Sequence, residues 1–75
     1  MRRAGTVERI AQGLLVLRAA DSTHASIGDT VIDERLEDVG RVVDVFGPVS
    51  RPYLAVTPEE DVHGPALVGE TLYRR

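Results

Sequence analysis

The segment Gly40-Arg-Val-Val-Asp-Val-Phe-Gly-Pro-Val-Ser-Arg-Pro-Tyr-Leu-Ala-Val56 constrains the fold of this chain more than any other. Val39 to Phe46 is rich in β-branched residues and is expected to be a strand. Strict period-two alternation would put Val39, Val43 and Val45 on one face with Arg41, and Val42 and Phe46 on the other with Asp44. Gly47-Pro48 ends the strand, because glycine accepts an unusual φ and proline cannot donate to a ladder. Tyr53 to Thr57 is the return strand. The result is a hairpin whose tip, Gly47 to Pro52, is apolar and stiffened by two prolines, whereas most hairpin tips are polar. Apolar groups at a chain reversal either fold back over a core or are offered to another molecule.

The remaining strands are short. Thr6 to Ala11 suits a strand with mixed faces, preceded by a short basic lead from Met1 to Gly5. Gln12-Gly13 is a turn, and Leu14 to Arg18 follows as a second strand rather than a helical turn, being closely bounded by Gly13 and Asp21. Ala19 to Gly28 is small, polar and aperiodic, hence a loop. Thr30 to Asp33 is a β-branched strand, and Glu34 to Asp38 a charged turn. Pro58 to Asp61, with proline early and acids following, suits one helical turn. Val62 to Pro65 is loop, and Leu67 to Tyr73 is the last strand. About six strands with turn signals every eight to twelve residues indicate an all-β sandwich or barrel. In a single 75-residue domain, closure into a small six-stranded barrel is favoured because it removes exposed edges. A chain of this size buries only about 60% of its unfolded surface, so the core is thin.

Chemistry is sparse. His24 and His63 fall in loops without a second ligand at metal spacing. Ser22, Ser26 and Ser50 lack a nucleophile elbow, and no glycine pattern cradles a phosphate before a helix. Asp44, mid-strand, is expected to accept backbone N–H groups of the adjacent turn rather than to act as a base. No cofactor, metal or catalytic residue is expected, so an enzyme acting alone is not. There is no cysteine, which suits a reducing, cytoplasmic location. No stretch approaches the roughly 18 apolar residues of a membrane span, and no apolar run follows Arg2-Arg3 as in a secretory signal. Twelve carboxylates outnumber nine cations, all arginine, for a net charge of −3. That balance argues against a protein that grips a nucleic-acid backbone directly.

Residues 40 to 53 resemble the G-x-V-x-D-I/V-F-G-P-V-x-x-P-Y pattern of the Gar family (glycine-arginine-rich protein), the small β-barrel subunit of H/ACA ribonucleoproteins. Weaker similarity extends through Gly5 and Val7, Gly13 to Val16, Gly28 to Asp33 and Leu67 to Tyr73, in the family's order. The resemblance implies a six-stranded barrel of the translation-protein type. It also implies a non-catalytic role, seated on the catalytic domain of a pseudouridine synthase and assisting substrate loading and release in RNA-guided pseudouridylation of ribosomal RNA. Guide and substrate RNA would be partners through that complex, and no membrane is involved. Glycine/arginine-rich tails are absent, as in archaeal members. A PRC-type barrel would accommodate Gly28-Asp-Thr-Val and Val39 to Val45, but its pattern does not call for Gly-Pro-x-x-x-Pro-Tyr. An oligonucleotide-binding barrel acting alone would stack bases on several aromatics in a basic groove, and this chain has three aromatics and is acidic. Phe46, Gly47, Pro48, Val49, Pro52 and Tyr53 are the expected contacts with a protein partner. The alternative is that the prolines only shape the turn, while Phe46 and Tyr53 close the barrel mouth.

Overall fold

The computed structural model describes residues 2–75 and contains six strands. These are β1 (Arg2–Ala11), β2 (Leu14–Arg18), β3 (Thr30–Ile32), β4 (Asp38–Phe46), β5 (Tyr53–Pro58) and β6 (Thr71–Arg74). All neighbours are antiparallel and close into a barrel in the order β1-β2-β5-β4-β3-β6. Closure leaves no unpaired edge.

Inward-facing side chains fill the barrel. In β2 and β5, Leu15 lies opposite Val56 and Leu17 opposite Leu54, and all four are essentially inaccessible. They pack with Val7, Val31, Val42 and Leu72 in one core. One mouth is stopped by a single 3-10 turn, Gly64–Leu67, with Pro65 in its first positions. Val62 and Leu67 rest on the core there. Ala25, from the loop after β2, is buried and joins the same core.

Several boundaries differ from the sequence reading, each for a local reason. The basic lead is part of β1, because Arg2 and Arg3 pair with Arg74 and Tyr73. Pro58 is not the start of a helical turn. It continues β5 opposite Gly40, and Glu59 N–H extends the ladder to the Val39 carbonyl at 2.8 Å. Among the described residues the one helical turn comes later, and it takes in Leu67. The last strand therefore starts at Thr71, after Gly69 has turned the chain through a left-handed φ of 93°.

The side-chain parity of β4 departs most from expectation. Val39, Val42 and Val45 all face the core, whereas Val43 is exposed. Two bulges produce this. The β3–β4 register skips Val39 and the β4–β5 register skips Val43. Each extra residue flips the alternation once. Asp44 serves the second bulge: its Oδ1 accepts the Val45 N–H at 2.8 Å. Its backbone partner is thus in the strand, not in the hairpin turn.

Closure also sorts charge. One end of the barrel gathers the turn between β3 and β4 and the segment between β5 and β6. Asp33, Glu34, Glu37, Glu59, Glu60, Asp61 and Glu70 lie in these two stretches and Asp38 opens β4 beside them, together eight of the chain's twelve carboxylates. The other end holds the hairpin tip, the loop after β2 and the start of β1, with Arg2, Arg3 and Arg51.

A candidate docking face on the outer side of the barrel

The β4–β5 hairpin closes with Phe46 opposite Tyr53. Their rings stack 5.5 Å apart at 19°. Gly47 turns away from β4 with φ 89°, and a Cβ there would come within 2.9 Å of Tyr53 Cδ2. Glycine is thus required twice, by conformation and by contact. The tip then makes a β-turn in which Arg51 N–H donates to the Pro48 carbonyl at 3.2 Å. Val49 occupies the corner of that turn and is 90% exposed.

Long-range bonds fasten this tip to the end of β2. Ala19 N–H donates to the Pro52 carbonyl at 2.9 Å. Arg51 Nε donates to the Ala19 carbonyl at 2.9 Å, and Arg18 Nε donates to the Arg51 carbonyl at 3.1 Å. The Arg18 guanidinium lies 4.5 Å from the centre of the Tyr53 ring and donates to its hydroxyl at 2.7 Å. A guanidinium, a phenol and a phenyl ring thus form one continuous stack, Arg18–Tyr53–Phe46. Cation–π and aromatic contacts of this kind each contribute about 0.5–1 kcal/mol at a partly exposed site.

The six residues singled out at the tip divide accordingly. Pro52 is buried, Tyr53 is half-buried beneath Arg18, and Gly47 backs onto Tyr53. Phe46, Pro48 and Val49 are exposed.

The exposed apolar surface runs past the tip. On the outer faces of β2, β5 and β4, Arg18, Tyr53 and Phe46 form one row, and Val16, Ala55 and Asp44 form the next. Val16 and Ala55 face outward yet are almost fully covered. The bulge adds Val43 to this face, 43% exposed. The loop before β3 adds Ile27, 64% exposed. It stands beside the bulge because Gly28 N–H donates to the Val42 carbonyl and Val42 N–H to the Asp29 carbonyl. Ile27, Val43, Phe46 and Val49 therefore lie along one side of the barrel. Exposed apolar residues gathered on one side mark an interaction site more often than residues scattered singly do.

Reactive chemistry does not gather anywhere comparable. Among the described residues no polar or charged residue is buried. Nor do any three His, Cys, Asp or Glu side chains among them form a group able to hold a metal. His24 Nδ1 lies 2.7 Å from the Ala25 carbonyl, which requires the proton on Nδ1. Asp33 has a shifted carboxyl. Burial pushes it up, but the N–H groups of Glu37 and Arg35 and the Arg35 guanidinium hold it below the ordinary carboxyl value. That arrangement organises the β3–β4 turn. Among the described residues no helix is long and apolar enough to cross a membrane.

A sequence model of the Gar1/Naf1 RNA binding region matches residues 1–74. An uncharacterized protein of Methanothermobacter thermautotrophicus is 28% identical over 76 residues, covering 97% of this chain and 82% of its own length. An uncharacterized protein of Methanocaldococcus jannaschii is 35% identical over 60 residues, covering 76% of this chain and 70% of its own length.

Proposed function

Because the chain belongs to the Gar1/Naf1 RNA-binding-region family, we propose that it is a non-catalytic subunit of an H/ACA-type ribonucleoprotein. It docks through the outer face of β2, β5 and β4 and the hairpin tip onto the catalytic domain of a pseudouridine synthase. There it assists the loading and release of substrate RNA during RNA-guided modification of ribosomal RNA in the cytoplasm.

The carrying observation is the exposure of Phe46 and Val49 on a tip that the rest of the molecule holds rigid. Neither side chain is needed to fill the core, yet Arg18, Arg51 and Tyr53 fix the backbone that presents them. A pre-ordered apolar surface loses little entropy on binding. A standard interface takes about 800 Å² from each partner, roughly a sixth of the 4555 Å² this chain exposes. The non-catalytic role is taken from the family.

The test is a titration of the purified synthase with wild-type chain and with Val49→Asp. Placing a carboxylate at the corner of the tip should weaken binding about a hundredfold, the effect of losing a central interface residue worth somewhat over 2 kcal/mol. The melting temperature should stay unchanged, since Val49 contributes nothing to the core. Unchanged affinity in a folded variant would overturn the docking assignment.

A further inference from the structure

The seam between β6 and β1 lies on the far side of the barrel from the docking face. In the closed order, β6 is three strands from β5 in either direction. A protein seated on β2, β5 and β4 therefore leaves this seam facing away from it. Pairing there sets Arg2 opposite Arg74 and Arg3 opposite Tyr73. With Ala20, Asp21 and Thr23 of the neighbouring loop, Arg2, Arg3 and Tyr73 line a depression of about 570 Å³.

The charges in this corner are uncommitted in a way that the chain's net charge conceals. Arg2 and Arg3 are both exposed. The ion pairs among the described residues involve Arg35 and Arg75, not these two. Asp21 is the one carboxylate lining the depression, and its Oδ1 accepts the Thr23 N–H at 2.8 Å. Arg74 adds a third cation beside the seam, fixed by donating to the His24 carbonyl at 2.8 Å. Most of the carboxylates that make the chain acidic are at the other end of the barrel.

We propose that this corner is an RNA contact site. Arg2 and Arg3 take phosphates of a single strand, and Tyr73 offers a surface for a neighbouring base. Guanidinium groups match phosphate oxygens in a fork geometry, and pairing backbone cations with an aromatic surface is how single strands are bound without sequence preference. The choice of RNA as the polyanion rests on the family reading above. Two phosphate contacts give weak binding to the free chain, with a salt slope of about 1.4, from about 0.7 per contact on a single strand. Docking on a larger RNA-bearing assembly makes such a contact intramolecular and raises its effective concentration.

The experiment is a titration of the isotope-labelled full chain with a short single-stranded oligouridylate, followed by amide chemical shifts at stepwise increasing salt. Shifts are expected at Arg3, Thr23 and Tyr73, with the slope given above. The double variant Arg2→Ala/Arg3→Ala should lose them and flatten the salt dependence, while keeping the rest of its spectrum and its affinity for the synthase. Three results would overturn the proposal: no shifts at the seam, shifts centred instead on Val43 and Phe46, or the same shifts from inorganic phosphate at equal phosphate concentration. No synthase is needed for the oligouridylate arm, so failure of the docking reading and failure of this site are told apart.

Discussion

Two hairpins flank β4, and they stabilise their reversals by different means. Between β3 and β4 the turn is self-contained. Asp33 N–H donates to the Glu37 carbonyl and Leu36 N–H to the Asp33 carbonyl. The Asp33 side chain accepts the N–H groups of Arg35 at 2.8 Å and Glu37 at 3.1 Å. Between β4 and β5 there is one local bond, from Arg51 to Pro48, and the other tethers come from β2. The first turn presents charge to solvent and needs nothing from the barrel. The second needs the barrel to hold it, and presents Phe46 and Val49 outward. The docking proposed above would use a tip held rigid in this way, since a pre-ordered surface loses little entropy on binding.

Substitutions can break this contrast from either side. The largest effect is expected at Gly47. Gly47→Ala forces a side chain into a left-handed φ and against the Tyr53 ring, costing about 2 kcal/mol. Thermal denaturation should show that loss, and docking should weaken as well because the Arg18–Tyr53–Phe46 stack is displaced. At the other hairpin the effects are smaller and confined to stability. Asp33→Ala removes the acceptor of two backbone N–H groups and should cost about 1 kcal/mol, with affinity for the synthase unchanged. An equal loss of docking in both variants would erase the distinction between the two hairpins.

The acid dependence of stability sharpens the same point. Because the folded state holds the Asp33 carboxyl below its ordinary value, the unfolded chain binds more protons in the window between the two values. Asp33 therefore contributes stability above the ordinary carboxyl range, and that contribution is lost as pH falls through the depressed value. Melting curves of wild type and Asp33→Asn should accordingly converge at acid pH. A gap that stays constant on acidification would remove the charge on Asp33 from the account.

Much of this was legible in the residues. The hairpin and its turn residues follow from glycine and proline placement, and the barrel from six short strands in a small chain; whether the tip folds inward or outward does not, and the exposure of Val49 needed the structure. The exposed outer face of β4 was only half legible. Strict alternation places Val43 on one face with Val39 and Val45, because alternation is all that a sequence displays. The two bulges that put Val39, Val42 and Val45 inside and turn Val43 out depend on pairing with β3 and β5, which lie outside the strand's own sequence. Asp44, a short carboxylate able to satisfy the N–H beside a bulge, was the one local hint. Ile27 was hidden for a related reason: the loop holding it pairs with β4 at Val42. The charge polarity also needed the fold, since a net charge of −3 says nothing about which end carries it.

In the proposed complex the partner sits on the β2–β5–β4 side and the tip, not on the acidic end. Amide hydrogen exchange of the full chain, alone and with the synthase catalytic domain, tests it most directly. Slowed exchange is expected from Ile27 to Gly28 and from Val43 to Arg51, with residues 33–38 and 59–63 unchanged. Protection centred on residues 33–38 and 59–63, with Val43 to Arg51 unaffected, would contradict it.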